Sequence, residues 1–315
     1  VVGIGRSGSI VGGIIAGNAV TGFGFTSNKS LTIGTVNGVN GIDVTVSPLS
    51  LPNAYISVTA NNGSLTISQP VSARGSYGGA ASVSLSGDAI TVNNAVSAIG
   101  GNGLNAQAGG NAHIDIDGRA GLVQINSNIL ANGGNGGSNG GVGGDAAISV
   151  NGGTVTLAAT QSITATGGNG GAGSTESGGG YGGSAFVSLT TSVESGGSIT
   201  VAGGSRIEAR GGNAGSNGYG GDAHIGLTAD GSITVSNASL VATGGAGGST
   251  GLGYINIYSG TSSDIMVSGS TLRADGADAD VASGEGQLVS ADAQSVGRHR
   301  QWAGHRVAGF GHVSE

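Results

Sequence analysis

The feature that most constrains this chain is a set of three short alternating segments that returns seven times. The first segment reads Ile56-Ser57-Val58 and recurs as Val83-Ser84-Leu85, Ile114-Asp115-Ile116, Ile148-Ser149-Val150, Val187-Ser188-Leu189, Ile225-Gly226-Leu227 and Ile255-Asn256-Ile257. The step between copies ranges from 27 residues (56 to 83) to 39 (148 to 187). Each copy is followed by a second segment, such as Leu65-Thr66-Ile67 or Val155-Thr156-Leu157, and then by a third, such as Val71-Ser72-Ala73 or Ile163-Thr164-Ala165. Alternation with period two, bounded by Gly, Asn and Ser, reads as short β-strands. One unit cannot bury its own apolar face, but stacked units cover one another. The pattern therefore predicts an all-β chain: a right-handed parallel β-helix with three short strands per coil. Ala at the end of the third strand fits a tight corner. The stretch 30–46 has the same texture and adds one or two coils. Eight or nine coils at ~4.8 Å each give a rod about 40 Å long.

Glycine is 70 of 315 residues and falls mostly in one place in the repeat, between the third strand and the next first strand. Gly100-Gly101-Asn102-Gly103, Gly133-Gly134-Asn135-Gly136 and Gly167-Gly168-Asn169-Gly170 each open such a run, and Gly143-Gly144-Asp145 and Gly220-Gly221-Asp222 each close one. The runs are expected to be loops stacked as a ridge at one corner, where glycine allows positive φ and close approach. Over the whole chain glycine lacks the every-third-residue period of collagen.

Charged residues make up 9% of the chain, the formal net charge is −7, and the ten Lys and Arg are scattered. This argues against nucleic acid or an anionic membrane as a partner. Cysteine is absent, so disulfides and thiolate metal sites are excluded. No apolar run approaches the ~20 residues of a spanning helix, so no membrane insertion is expected. Gly8 to Val20 imitates a signal-peptide core only weakly and reads better as strands.

Gly140-Gly141-Val142-Gly143-Gly144-Asp145 matches the start of a calcium-binding β-roll repeat, and Asp222 ends a similar run. Asp145 and Asp222 are the calcium candidates, but such rolls need the motif in consecutive short units. A polar residue closing a loop is the simpler reading, and no cofactor is expected. Asp115 and Asp117 share one side of a strand and are the best acid pair for a polysaccharide-degrading enzyme. Their columns continue as Ser84 and Ser86, then Ser149 and Asn151, which reads as solvated surface, so no enzyme is expected. Glu208 between Arg206 and Arg210 reads as local charge pairing. The five histidines show no metal spacing; His113 and His224 share a repeat position with Ala147 and Phe186 between them. The centre of the second strand holds Thr66, Thr91, Gln124, Thr156, Thr200 and Thr234, a file that could bind ice or another crystalline surface, or simply reflect the strand propensity of Thr.

Segments 30–42 (SLTIGTVNGVNGI), 63–75 (GSLTISQPVSARG) and 196–213 (GGSITVAGGSRIEARGGN) resemble filamentous-haemagglutinin-like exoproteins of two-partner secretion systems. The resemblance covers about 25–280. It implies a β-helical adhesive rod, secreted or held at a bacterial cell surface and exported through an outer-membrane transporter. Host or neighbouring cells, glycan or matrix would be its partners. With a Val-Val start and no recognisable secretion motifs, the chain would be a piece of a longer exoprotein. Solenoid repeats are expected over 1–280, less regular over 1–50. The tail 281–315 has a different composition and is expected to be poorly ordered.

Overall fold

A computed structural model describes residues 9–10, 13–46, 53–173, 178–191, 196–260 and 263–276, together with the backbone of strands Asp280–Ser283, Gln287–Leu288 and Ala293–Val296. The chain is a parallel β-helix. Among the described residues three ten-stranded sheets run along it, and successive strands pass from first sheet to second to third and back to the first. In one coil these are Ala146–Gly152, Thr154–Leu157 and Ser162–Thr166. The described residues form ten coils, roughly 45–48 Å at the usual strand spacing.

Every repeat copy lands in register. Ile148 lies between Ile114 and Val187, Val155 between Val123 and Ile199, and Ile163 between Ile129 and Ile207. Because side chains alternate across a strand, this register sends one aliphatic ladder per position inward and its polar neighbours outward. Ile56, Ile114, Ile148, Ile163 and Ile225 are all essentially inaccessible. Alanine forms two further buried ladders, Ala73–Ala98–Ala131–Ala165 ending the third strands and Ala81–Ala112–Ala146–Ala185 opening the first. Both flank the glycine corner, so alanine lines each side of it.

The first coils are modified rather than different. Gly13–Ile15 and Gly17–Ala19 pair in register with Leu31–Ile33 and Ile42–Thr45, so this apolar stretch is strand. The stretch 30–46 contributes one coil, interrupted by an antiparallel hairpin of Thr35–Val36 and Val39–Asn40. Its turn is Asn37-Gly38, both with positive φ (51° and 81°), as a two-residue hairpin turn requires. At the other end, backbone pairing continues past residue 280. Strands Asp280–Ser283, Gln287–Leu288 and Ala293–Val296 each add to one sheet. The rest of 281–315 lies outside the described residues.

The corner between second and third sheets turns on left-handed residues at Thr160 (φ 65°), Gly204 (73°), Asn237 (48°) and Gly269 (56°). A β-branched side chain is the worst fit to that conformation, and asparagine the best after glycine. Thr160→Asn is expected to raise stability by about 1 kcal/mol; an unchanged or lower denaturation midpoint would show that this corner carries no strain.

Candidate functional site

Between the third and first sheets the chain leaves the helix along one arm and returns along another. The arms stack into a flange of glycine. Along the departing arm Gly133–Asn135, three successive N–H groups point in three directions. Gly133 donates to O of Thr166, the last residue of the next coil's third strand (2.8 Å). Gly134 donates to Gly110 O of the previous coil's returning arm (2.8 Å). Asn135 donates to Asn102 Oδ1 (2.9 Å). The cycle then repeats, with Gly136 donating to Asn169 O and Gly137 to Gln107 O. A threefold rotation without hydrogen bonds inside an arm is the geometry of a polyproline-II-type helix.

Two of every three positions are closed to any side chain. A Cβ on Gly133 would collide with Gly144 O of its own returning arm. One on Gly134 would collide with Gly101 O of the previous departing arm. Only the third position faces solvent. Gly133, Gly134, Gly143, Gly144, Gly167 and Gly168 all lack positive φ, which in these loops is confined to turns such as Gly140 and Gly173. Close backbone approach, not left-handed conformation, is therefore what calls for glycine here. The local pattern is Gly-Gly-x, seen in 133–138 and 167–172, a period of three that reading glycine over the whole chain hides.

Outward residues of the flange form columns. On the departing face, Asn102, Asn135, Asn169 and Asn213 each accept through Oδ1 the backbone N–H one coil further on, at 2.8–2.9 Å. On the returning face, Asn111, Asp145, Ser184 and Asp222 do the same for Asp145, Ser184, Asp222 and Leu252. This places the calcium candidates. Asp145 and Asp222 occupy one column, but Ser184 stands between them, and each spends an oxygen on a backbone N–H. Among the described residues no three His, Cys, Asp or Glu side chains gather around a common point. Further out on the returning face, Tyr181 and Tyr219 pack with ring centroids 5.4 Å apart.

Where the departing face meets the outer surface of the third sheet lies a shallow groove of about 460 Å³. Gly133, Gly167 and Gly211 form its floor. Exposed Asn135, Asn169 and Asn213 make one wall, and Thr166, Arg210 and Thr243 make the other. Arg210 is held in place by Glu208, which is only 7% exposed. Arg206 grips the same carboxylate in a fork, Nε to Oε2 at 2.9 Å and Nη2 to Oε1 at 2.8 Å, while Arg210 Nε donates to Oε1. Burial alone would raise the Glu208 pKa, but the hydrogen bonds from Arg206 and Arg210 outweigh it and hold the carboxyl below its ordinary 4.5. The sequence suggested the pairing but not the burial.

The remaining candidates lie elsewhere. Asp115 and Asp117 are on the outer face of the first sheet with His113, two residues before Asp115 on the same strand. Burial raises the Asp115 pKa; His113 opposes this and Asp117 adds to it. Asp117 Oδ1 accepts Arg119 N (2.9 Å) and Asn151 Nδ2 (3.2 Å), while the Arg119 side chain turns away to Asp88 at 2.7 Å. His224 packs edge-on between Phe186 and Tyr254, and burial lowers its pKa. Thr66, Thr91, Gln124, Thr156, Thr200 and Thr234 do form one in-register file, which begins at Thr32 and is followed by Met266. It is one residue wide and broken by Gln124. No protein-family model, curated protein or solved structure matches the chain.

Gly168→Ala places a methyl against Gly134 O and is expected to cost about 2–4 kcal/mol, whereas Gly24→Ala, which meets nothing within 4 Å, is expected to be neutral or slightly stabilising in denaturant titrations. For Glu208, whose folded pKa is depressed, the stabilisation is full above the unfolded value and is lost as pH falls through the lower folded value. Glu208→Gln should therefore remove that part of the acid dependence, leaving a flatter stability curve below about pH 5.

Proposed function

We propose that this chain is the rod of a secreted or surface-attached bacterial exoprotein of filamentous-haemagglutinin type, and that it works by attachment rather than by catalysis. The observation that carries this reading is the flange: a backbone-locked fin whose departing face repeats asparagine over four successive coils, Asn102, Asn135, Asn169 and Asn213. Such an array suits many weak, identical contacts, which add through effective concentration once the first has formed. In-register parallel sheets keep the array stiff, so little ordering cost is left for binding. The partners that fit are glycans or matrix on a host or neighbouring cell. A coil-on-coil solenoid also suits export through an outer-membrane transporter, because each coil folds on its predecessor.

The enzymatic alternative gains little from the geometry. The acid pair faces the outer side of the first sheet, whereas the groove lies at the other side of the corner. The crystalline-surface reading rests on a single file of threonines, interrupted by Gln124.

Antibodies to residues 50–280, applied to intact producing cells, test the proposal. The expected result is a surface signal erased by external protease, with weaker attachment in a deletion strain. Signal that appears only after lysis overturns it.

A further inference from the structure

We propose that the groove on the departing face binds a linear, uncharged polysaccharide in extended form, lying parallel to the solenoid axis and held by the side-chain amides of Asn135, Asn169 and Asn213. This deepens the attachment reading and rests on it.

The argument starts from what the asparagine column does not need. Its structural task is to accept one backbone N–H from the next coil, and any short acceptor performs it. On the returning face Asn111, Asp145, Ser184 and Asp222 perform it in succession. On the departing face four consecutive coils use asparagine: Asn102, Asn135, Asn169 and Asn213. Accepting a hydrogen bond does not explain the NH₂ group that distinguishes asparagine from aspartate or serine. Three of these four residues form a wall of the groove.

The geometry gives the NH₂ groups a use. With Oδ1 committed to the backbone, each amide is fixed in rotation and Nδ2 is turned away from the ladder. Among the described residues, Nδ2 of Asn135, Asn169 and Asn213 has no hydrogen-bond partner. The wall is therefore a row of oriented donors spaced by one coil, ~4.8 Å, about the length of one sugar ring in an extended chain. The ordering cost has already been met by the fold, which favours binding.

The ligand must offer an acceptor at each step. A polysaccharide does so through its hydroxyl, ring and acetamido oxygens. Across the groove Thr166 supplies a hydroxyl able to act either way, while Thr243, whose hydroxyl donates to Asp275 Oδ2 (3.5 Å), keeps its oxygen as an acceptor. The glycine floor has no side chains and lets a sugar ring lie close. Charge chooses between glycans. Arg210 is the groove's only cation and already donates to Glu208, while the chain as a whole carries −7. That favours a neutral chain over a polyuronate or a nucleic acid.

The test titrates the full chain with hexasaccharides of β-1,4-linked glucose, N-acetylglucosamine and galacturonic acid, read by calorimetry and by the side-chain amide NMR signals. Binding of one of the neutral oligomers is expected, with shifts at the three Nδ2 groups. Asn169→Asp keeps the acceptor for the Asn213 N–H, as Asp145 does for Ser184, but removes the donor. It should bind about tenfold more weakly with an unchanged melting temperature, and Asn135→Asp likewise, whereas Asn111→Asp on the opposite face should bind as the parent does. If neither neutral hexasaccharide binds at millimolar concentration, if only the galacturonate binds, or if Asn169→Asp binds as the parent does, the proposal is wrong. Oligosaccharide binding by a protein found only inside cells would keep the groove and remove the surface reading; surface display without binding would do the reverse.

Discussion

The structure depends on how closely two backbones can approach when nothing stands between them. In the flange, carbonyl oxygens sit where a Cβ would otherwise be, and the same contact recurs at every coil from Gly100 to Gly251. It also creates a continuous chain of hydrogen bonds. Gly101 donates to Gly79, Gly110 to Gly101, Gly134 to Gly110, Gly144 to Gly134, Gly168 to Gly144, and so on to Gly251, zigzagging between departing and returning arms at 2.8–2.9 Å. Each glycine in the zigzag gives its N–H to one arm and its C=O to the next, so its backbone is held from both sides. Removing the glycine at any step breaks the chain on both sides.

Two kinds of order are thus joined at one corner. Inside the helix, side chains do the packing: aliphatic ladders fill the interior and fix which face of each strand turns inward. In the flange, backbones do the packing and side chains are expelled to the surface. The alanine ladders mark the border, small enough to narrow the helix where the arms leave. The outward columns are free to vary because they carry neither task, apart from the residues that accept a backbone N–H. Glu208 is the exception on the third sheet, a nearly inaccessible carboxylate kept charged by two arginines and in turn holding one of them at the groove.

Much of this was legible in the sequence. Alternation at 148–150, 155–157 and 163–165 gave the strands, their order and their register, because period two and a one-sided core leave little choice. The position of the glycine runs gave the corner. Their internal order did not emerge, since the period of three exists only within each run and disappears when glycine is counted along the chain. The role of Asn135 and Asp145 was hidden for a related reason. Their partners are backbone N–H groups about 34–39 residues away, and a backbone donor leaves no mark in the sequence. The Thr file is legible from Thr66 onward but not back to Thr32, because the hairpin of Thr35–Val36 and Val39–Asn40 separates that strand from the third strand of its coil.

The lengths of the glycine excursions follow from their threefold rotation. Between successive third and first strands they contain 6, 12, 13, 18, 12 and 9 residues (75–80, 100–111, 133–145, 167–184, 211–222 and 244–252). One turn of one arm is three residues and one turn of both arms is about six; the lengths 6, 9, 12 and 18 all fall on the three-residue step. The odd residue of the 13-residue excursion falls where a turn at 138–140, ending in the positive φ of Gly140, can absorb it. Such a fin lengthens in quanta. A six-residue duplication extends it with every outward side chain still outward. A single inserted residue within an arm turns the pattern by about 120° and drives an asparagine into a space that admits only hydrogen. The outline of the fin along the rod can therefore change over generations by whole turns, while its two faces stay as they were.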